Sequence, residues 1–261
     1  IQMDDIKTID FDFDSSFIIG LEAQNRNYEI FYYHPNDLYL DNGKVKAKGF
    51  NIELYDNKTS YFKFSTEKIN VNLEEFEFIF LRQDPPFNMH YITSTYLLDC
   101  LPKDTVVVNN PTAVRNFSEK ILPFKFYDFM PPTLITQKIE EIKNFFNNHK
   151  DIITKPLYGN GGDGIHRSNN GYIKGIDLTH EYLNMPIVVQ KYIPEISEGD
   201  RRLIFFDGDY VGSVARIPAE GSIKANFHAG GIAKKIDLVF RDHQIIERIG
   251  KELKKLDLFF V

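Results

Sequence analysis

The 261-residue chain has a formal net charge of -6, with 43% hydrophobic and 26% charged residues, the composition of a globular protein able to bury a sizeable core. Its 31 basic residues are spread along the sequence, so no nucleic-acid partner is expected, because backbone phosphates are bound by clustered Lys and Arg. No apolar run approaches the roughly 20 residues of a bilayer span and no signal peptide is visible, so no membrane partner is expected, and the single cysteine points to a reducing cytoplasm.

Helix and strand patterns alternate over the first hundred or so residues. Asp14-Ser15-Ser16 caps an apolar-periodic helix over 17–25, and residues 28–33 read as the next strand. Asp41-Asn42-Gly43 sits between two apolar runs as a hairpin turn. Residues 76–81 form a strand running into Arg82-Gln83-Asp84-Pro85-Pro86-Phe87, followed by a helix whose buried side carries Cys100 as a core thiol. A short strand over 105–108 and the turn Asn109-Asn110-Pro111 come next. This order predicts an open α/β sheet, whose ligands collect where strands end.

The pattern changes after Arg115. Asn116-Phe117-Ser118-Glu119-Lys120 opens a helix, Pro131-Pro132-Thr133-Leu134 leads into a strand, and 139–149 is an amphipathic helix. The stretch Ile152-Ile153-Thr154 ends on Lys155-Pro156 and meets the run Gly159-Asn160-Gly161-Gly162-Asp163-Gly164. After it, 165–167, 168–171 and 172–173 read as strand, turn and strand. Further strands follow over 187–191, 202–206 and 210–216, the last two joined at Asp207-Gly208-Asp209. Residues 217–232 are rich in Ala, Gly and Ser, as suits a closing lid or a surface loop. The final run, 256–261, is apolar and strand-like without a polar tail, so the native chain is expected to continue past Val261.

An ammonium fixed beside a glycine loop is a natural seat for nucleotide phosphates. The loop spells G-x-G-x-x-G, a weak signal alone. A dinucleotide fold would start a helix inside the glycines, and a protein kinase would place its lysine downstream and add H-R-D and D-F-G segments. Neither pattern is present. An ordinary strand exit followed by a surface loop is the competing reading.

Five local groups occur in an order that resembles the bacterial glutathione synthetase family of the ATP-grasp superfamily: Asp14-Ser15-Ser16-Phe17, Arg82 to Phe87, Glu119-Lys120, Lys155-Pro156 with its glycines, and Gly199-Asp200-x-Arg202 with Ala215-Arg216-Ile217-Pro218. The resemblance implies a mixed α/β fold in three parts: an open α/β substrate-binding (pre-ATP-grasp) domain over 1–113, a small ATP-grasp lobe over 114–191, and a large lobe over 192–261. It further implies ATP-driven joining of γ-glutamylcysteine to glycine through an acyl phosphate, in a cytoplasmic homo-oligomer. ATP would be held by Lys120, Lys155, Gly161, Gly162, Gln190, Lys191, Tyr192, Ile193 and Asp200. Arg202 and Arg216 would be catalytic, and Ser15, Arg82, Asp84, Asn226, Gly230 and Gly231 would bind substrate. His228 is given no catalytic role. Two Mg²⁺ are implied, with oxygen ligands expected past Val261.

The residues alone allow other readings. Residues 190–193 could be an edge strand rather than a hinge, and Asp200 with Arg202 could be a surface ion pair. Another carboxylate–amine ligase, or a noncatalytic nucleotide-binding protein on the same fold, would carry many of the same residues.

Overall fold

In the computed structural model, which describes residues 1–219 and 232–261, the chain falls into two units, Ile1–Asn116 and Phe117–Val261. The first contains α1 (Ser15–Asn25), β1 (Ile30–Tyr32), β2 (Leu38–Asp41), β3 (Lys44–Leu54), β4 (Phe62–Phe64) and β5 (Ile69–Asn72). All four of the other strands pair antiparallel with β3. The burial alternation of β3 explains how one strand serves them all. Val45, Ala47 and Gly49 are buried, then Ile52 and Leu54, so the inward phase slips by one residue between Gly49 and Ile52. On one side of the slip β3 meets β2 and β5, and on the other β1 and β4. The strand thereby feeds two separate cores, Val45 and Ala47 in one and Ile52 and Leu54 in the other. Gly49 marks the changeover, where a Cβ would lie 2.2 Å from the Tyr32 carbonyl oxygen. The predicted hairpin forms at Asn42 and Gly43, both with positive φ.

The parallel part of this unit is smaller than the sequence suggests. It is β6 (Phe78–Phe80) beside β7 (Val106–Val108), with α2 (Met89–Leu98) between them in sequence. Parallel bridges from Gln2 to Tyr33 and to Leu81 extend it, and α3 (Pro111–Asn116) ends the unit. Phe-Ile-Phe and Val-Val-Val are short continuous apolar runs of the kind found in parallel pairs, although the equally apolar and fully buried β1, Ile-Phe-Tyr, pairs antiparallel with β3. The alternating β3 suits an antiparallel partner.

Cys100 is exposed, which corrects its assignment as a core thiol. The helix α2 stops at Leu98, and Leu98 with Leu97 and Leu101 takes the core side, leaving Cys100 on the outward part of the turn.

Residues 116–120 do not open an α-helix: Asn116 is the last residue of α3, and the second unit begins at Phe117 without one. The chain turns at Glu119-Lys120 and enters a 3₁₀ segment, Leu122–Phe129, kinked at Phe126. Pro123 lies one residue inside this segment, where it lacks a backbone donor. Next come β8 (Thr133–Lys138), α4 (Ile139–His149), β9 (Ile152–Pro156), β10 (His166–Ser168) and β11 (Tyr182–Lys191). They form an antiparallel sheet in the order β10-β9-β11-β8. Helix α4 packs Ile142 and Phe146 onto Ile152 and Val189 of one sheet face. Lys150, at positive φ, ends the helix.

The glycine loop joins β9 to β10, so these two strands are the hairpin; the strand predicted over 172–173 does not form. Ile173 instead turns under the sheet into the same core as Ile142, while the Lys174 N–H donates to Ser168 Oγ at 3.0 Å. Burial of one isoleucine takes that segment away from the sheet edge.

The remaining strands β12 (Asp200–Phe206), β13 (Asp209–Ile217) and β14 (Ile232–Lys235) form a second antiparallel sheet in that order. Residues 259–261 continue it as the sequence predicts, with the Phe205 N–H donating to the Val261 carbonyl at 2.7 Å. The helix α5 (Phe240–Lys255) is anchored by buried Asp242, which accepts from Arg201 of β12. Among the described residues, no helix is long and apolar enough to cross a membrane.

Candidate active site

In the first unit the chemistry gathers around Arg82, directly after β6. Its backbone N–H donates to Gln2 O at 2.8 Å. Its Nε donates to Ser16 Oγ at 3.1 Å and a terminal nitrogen donates to Ser15 Oγ at 2.7 Å. Both serines lie in the first turn of α1, which Asp14 caps by accepting from the Phe17 N–H at 2.7 Å. Burial pushes the Arg82 guanidinium below its ordinary value, and the nearby charges of Asp14 and Asp84 push the other way. The exposed Asp84 is fixed through its backbone, whose N–H donates to Asp4 Oδ2 at 2.5 Å.

This unit thus holds a half-buried guanidinium, two hydroxyls and an exposed carboxylate together. That set complements a small zwitterion, the arginine and hydroxyls for its carboxylate and the aspartate for its ammonium. Ser16, Asp4 and Tyr91 of α2, whose hydroxyl burial pushes up beside Arg82, were not among the predicted site residues. Asn88 side-chain capping of α2 is the one sequence signal that could have brought Tyr91 into view.

In the second unit, Lys155 lies on the sheet face opposite α4. Its Nζ donates to Gln190 Oε1 at 3.1 Å, and Gln190 Nε2 donates to Thr133 Oγ1 at 2.8 Å. The Lys120 ammonium donates to the Gly159 carbonyl at the start of the glycine loop. Both ammonium groups are therefore held by neutral carbonyl acceptors, and among the described residues neither lies in an ion pair. Burial first, and the like charge of Lys120 second, hold Lys155 below the usual lysine range, opposed by Glu119. Two like-charged groups without a direct ion-pair partner, offset only in part by Glu119, attract an anion. Gly161 and Gly162 both have positive φ. A Cβ on Gly161 would meet nothing within 4 Å, so its glycine is required by backbone conformation rather than by crowding.

The 190–193 segment combines a strand end and a connector. Gln190 and Lys191 finish β11, paired with Ile153 and Ile152, so the edge-strand reading does not hold for them: β11 lies between β9 and β8. The Tyr192 N–H donates to Asp151 O at 3.1 Å, and its ring lies 3.6 Å beneath the Arg167 guanidinium. Arg167 is in turn clamped by Asp151 through two bonds of 3.0 and 2.7 Å. Ile193 is exposed at 47%, an apolar surface beside that clamp.

Asp200 pairs with Arg216, not with Arg202. The two are directly opposed in the β12–β13 ladder, and Arg216 Nε donates to Asp200 Oδ1 at 2.8 Å. Arg202 stands two residues along the same face, pushed down first by burial and then by the charge of Arg216. The hydrogen bond that Arg216 donates to Asp200 is the main cause that raises the guanidinium's pKa. Glu119 acts electrostatically on Lys155, Arg202 and Arg216 alike, which brings the β9 and β12–β13 residues into one electrostatic group. The predicted substrate residues Asn226, Gly230 and Gly231, with His228, lie outside the described residues.

Among the described residues no three His, Cys, Asp or Glu side chains converge as a metal-binding group. The two Mg²⁺ implied by the resemblance have no ligand set there.

Comparison with known proteins follows the same division of the chain. The family described as prokaryotic glutathione synthetase, N-terminal domain, matches residues 1–115, and that described as prokaryotic glutathione synthetase, ATP-grasp domain, matches residues 119–261. The glutathione synthetase of Agrobacterium fabrum is 42% identical over 264 residues, covering 100% of this chain and 82% of that protein. That of Mesorhizobium japonicum is 40% identical, covering 100% and 84%. An ATP-grasp ligase of Chryseobacterium gregarium, solved with ADP and a leader and core peptide, aligns over 99% of this chain and 81% of its own with a TM-score of 0.57 at 16% identity, a likeness of fold alone. With both domain descriptions matched in order and relatives at this identity aligned over the whole of this chain, the chain belongs to the prokaryotic glutathione synthetase family.

Proposed function

We infer that the protein is an ATP-dependent carboxylate–amine ligase that joins γ-glutamylcysteine to glycine, giving glutathione, ADP and phosphate. The observation that carries the nucleotide half is the pair Lys120 and Lys155, each held by a neutral carbonyl beside a glycine loop. Polyphosphate charge is bound most strongly where cations are oriented but not already neutralised. Gly161 and Gly162 supply loop N–H groups to the phosphates, Gln190 to Ile193 line the adenine, and Asp200 keeps Arg216 extended from β13. In the first unit, Arg82 with Ser15 and Asp84 holds the dipeptide.

The reaction has two steps. A carboxylate oxygen of the dipeptide attacks the γ-phosphorus and ADP leaves, forming an acyl phosphate. The glycine amine then attacks the acyl carbon, the C–O bond to phosphate breaks, and the amine loses a proton. Arg202 and Arg216 stabilise the negative charge on the transferring phosphoryl group and the attacked carboxyl. Asn226, Gly230 and Gly231 belong to the substrate side of the proposal. In the same reading the second unit divides into two lobes between 191 and 192, and the protein uses two Mg²⁺ and works as a homo-oligomer in the cytoplasm.

The lowered Lys155 value sets a pH dependence. A bound phosphate favours the ammonium, so nucleotide binding raises the pKa of Lys155. Affinity is then full below the nucleotide-free value and falls as pH rises through it. Calorimetric titration of ADP across the alkaline range reads this fall, and Lys155→Arg flattens it because guanidinium stays charged. A wild-type profile as flat as that of the arginine variant would contradict the assignment.

A coupled ADP-release assay tests the reaction. γ-Glutamylcysteine with glycine gives the fastest turnover. Equal or faster release with D-alanine as amine, or with a peptide bearing a C-terminal glutamate as acid, would assign another ligase. Nucleotide binding with no peptide product by mass spectrometry would make the protein noncatalytic.

A further inference from the structure

We propose that Thr133 is a positioning residue for Lys155, acting through Gln190 as a directional hydrogen-bond relay. The proposal rests on the nucleotide-holding role of Lys155 given above. Thr133 and Gln190 are directly opposed in the β8–β11 ladder. Lys155 opposes Val188 on the other side of β11, which makes Gln190 its diagonal neighbour, within reach of long side chains. All three side chains therefore share the sheet face away from α4, whose own contacts are Leu134, Ile152 and Val189.

The direction of the relay follows from donor and acceptor chemistry. The Thr133 hydroxyl has one proton, and it goes to the Pro131 carbonyl at 2.8 Å. Only its lone pairs are left to face Gln190, so the amide must present its NH₂ to Thr133, at 2.8 Å. That turns Oε1 toward Lys155, which accepts from the ammonium at 3.1 Å. Lysine has donors only, so an amide turned the other way would set NH₂ against NH₃⁺.

The orientation matters because Lys155 also faces the like charge of Lys120. Among the described residues, Gln190 Oε1 is the acceptor at hydrogen-bond distance that opposes that repulsion. Without the Thr133 hydroxyl the amide loses the partner that fixes its sense. The ammonium is then free to leave the position from which it meets a phosphate. The Pro131-Pro132 pair before Thr133 adds rigidity to the carbonyl at the far end of the relay.

The experiment is a double-mutant cycle on ADP affinity, read by calorimetry on the full chain. Thr133→Val keeps the side-chain shape and removes the hydroxyl; Thr133→Ala serves as a second hydroxyl-free variant should valine impair folding. Either weakens ADP binding about three- to tenfold, the scale of one neutral hydrogen bond. Thr133→Ser restores wild-type affinity. In a Lys155→Ala background, Thr133→Val has no further effect, because the relay has nothing left to position. An equal loss in both backgrounds, a silent Thr133→Val and Thr133→Ala, or failure of serine to rescue would each overturn the proposal. If instead Lys155→Ala alone leaves ADP affinity unchanged, it is the nucleotide site itself that is misplaced.

Discussion

Lys155→Ala weakens ATP and ADP binding about 10- to 100-fold while the nucleotide-free protein melts at nearly the wild-type temperature. A hydrogen bond to a charged group contributes about 1.5–3 kcal/mol, and 1.4 kcal/mol is a factor of ten in affinity, which sets the range. The melting temperature holds because the ammonium contributes little to packing. Burial and Lys120 both disfavour its charged form in the free protein, so its removal takes away a cost along with one hydrogen bond to Gln190. Isothermal calorimetry and a ligand-free thermal melt separate the two effects. A large drop in melting temperature with unchanged affinity would make Lys155 a structural residue.

Arg82→Ala raises the apparent KM for the dipeptide by about 10- to 100-fold and leaves that for ATP within about threefold, on the same charge-assisted scale. The guanidinium is already oriented by Ser15 and Ser16 at 2.7 and 3.1 Å, so little ordering remains to be done when a carboxylate arrives. Arg82→Lys does not restore the dipeptide KM, because a single ammonium cannot meet both hydroxyls and a carboxylate in the planar geometry of the fork. Steady-state kinetics with each substrate varied in turn reads the result. A larger change in the ATP constant than in the dipeptide constant would place the acid elsewhere.

These two residues were legible in the sequence for different reasons. Lys155 closes a strand and meets a glycine run, a purely local pattern. Its strand and hairpin follow from neighbours within about ten positions. Arg82 was visible through the motif ending in Pro85-Pro86-Phe87, but its serine partners lie 66 and 67 residues away, and no local pattern connects them. The same limit applies to Asp200. Its opposition to Arg216 is a matter of register across a hairpin with an irregularity between Ile204 and Phe205, which the spacing of Asp200 and Arg202 conceals.

The fold was legible wherever one face of an element repeats. The helix over 139–149 agrees in both bounds with α4, since its apolar positions recur at helical spacing. The slip in β3 breaks the period of two, so no window across Gly49 announces a strand shared by two cores. Cys100 and the 116–120 segment failed for a related reason. In each, a helix boundary set by a turn and by which leucines or phenylalanines reach the core moved a residue off its periodic position.

Lys120 and Lys155 are two oriented cations awaiting a polyphosphate. A crystal structure with a nonhydrolysable ATP analogue tests this most directly. Phosphate oxygens lie at about 2.7–3.2 Å from both ammonium nitrogens in the expected result, with the N–H groups of the glycine loop turned toward them. Phosphates seated elsewhere, with the two lysines still bonded to Gln190 and Gly159 alone, would contradict it.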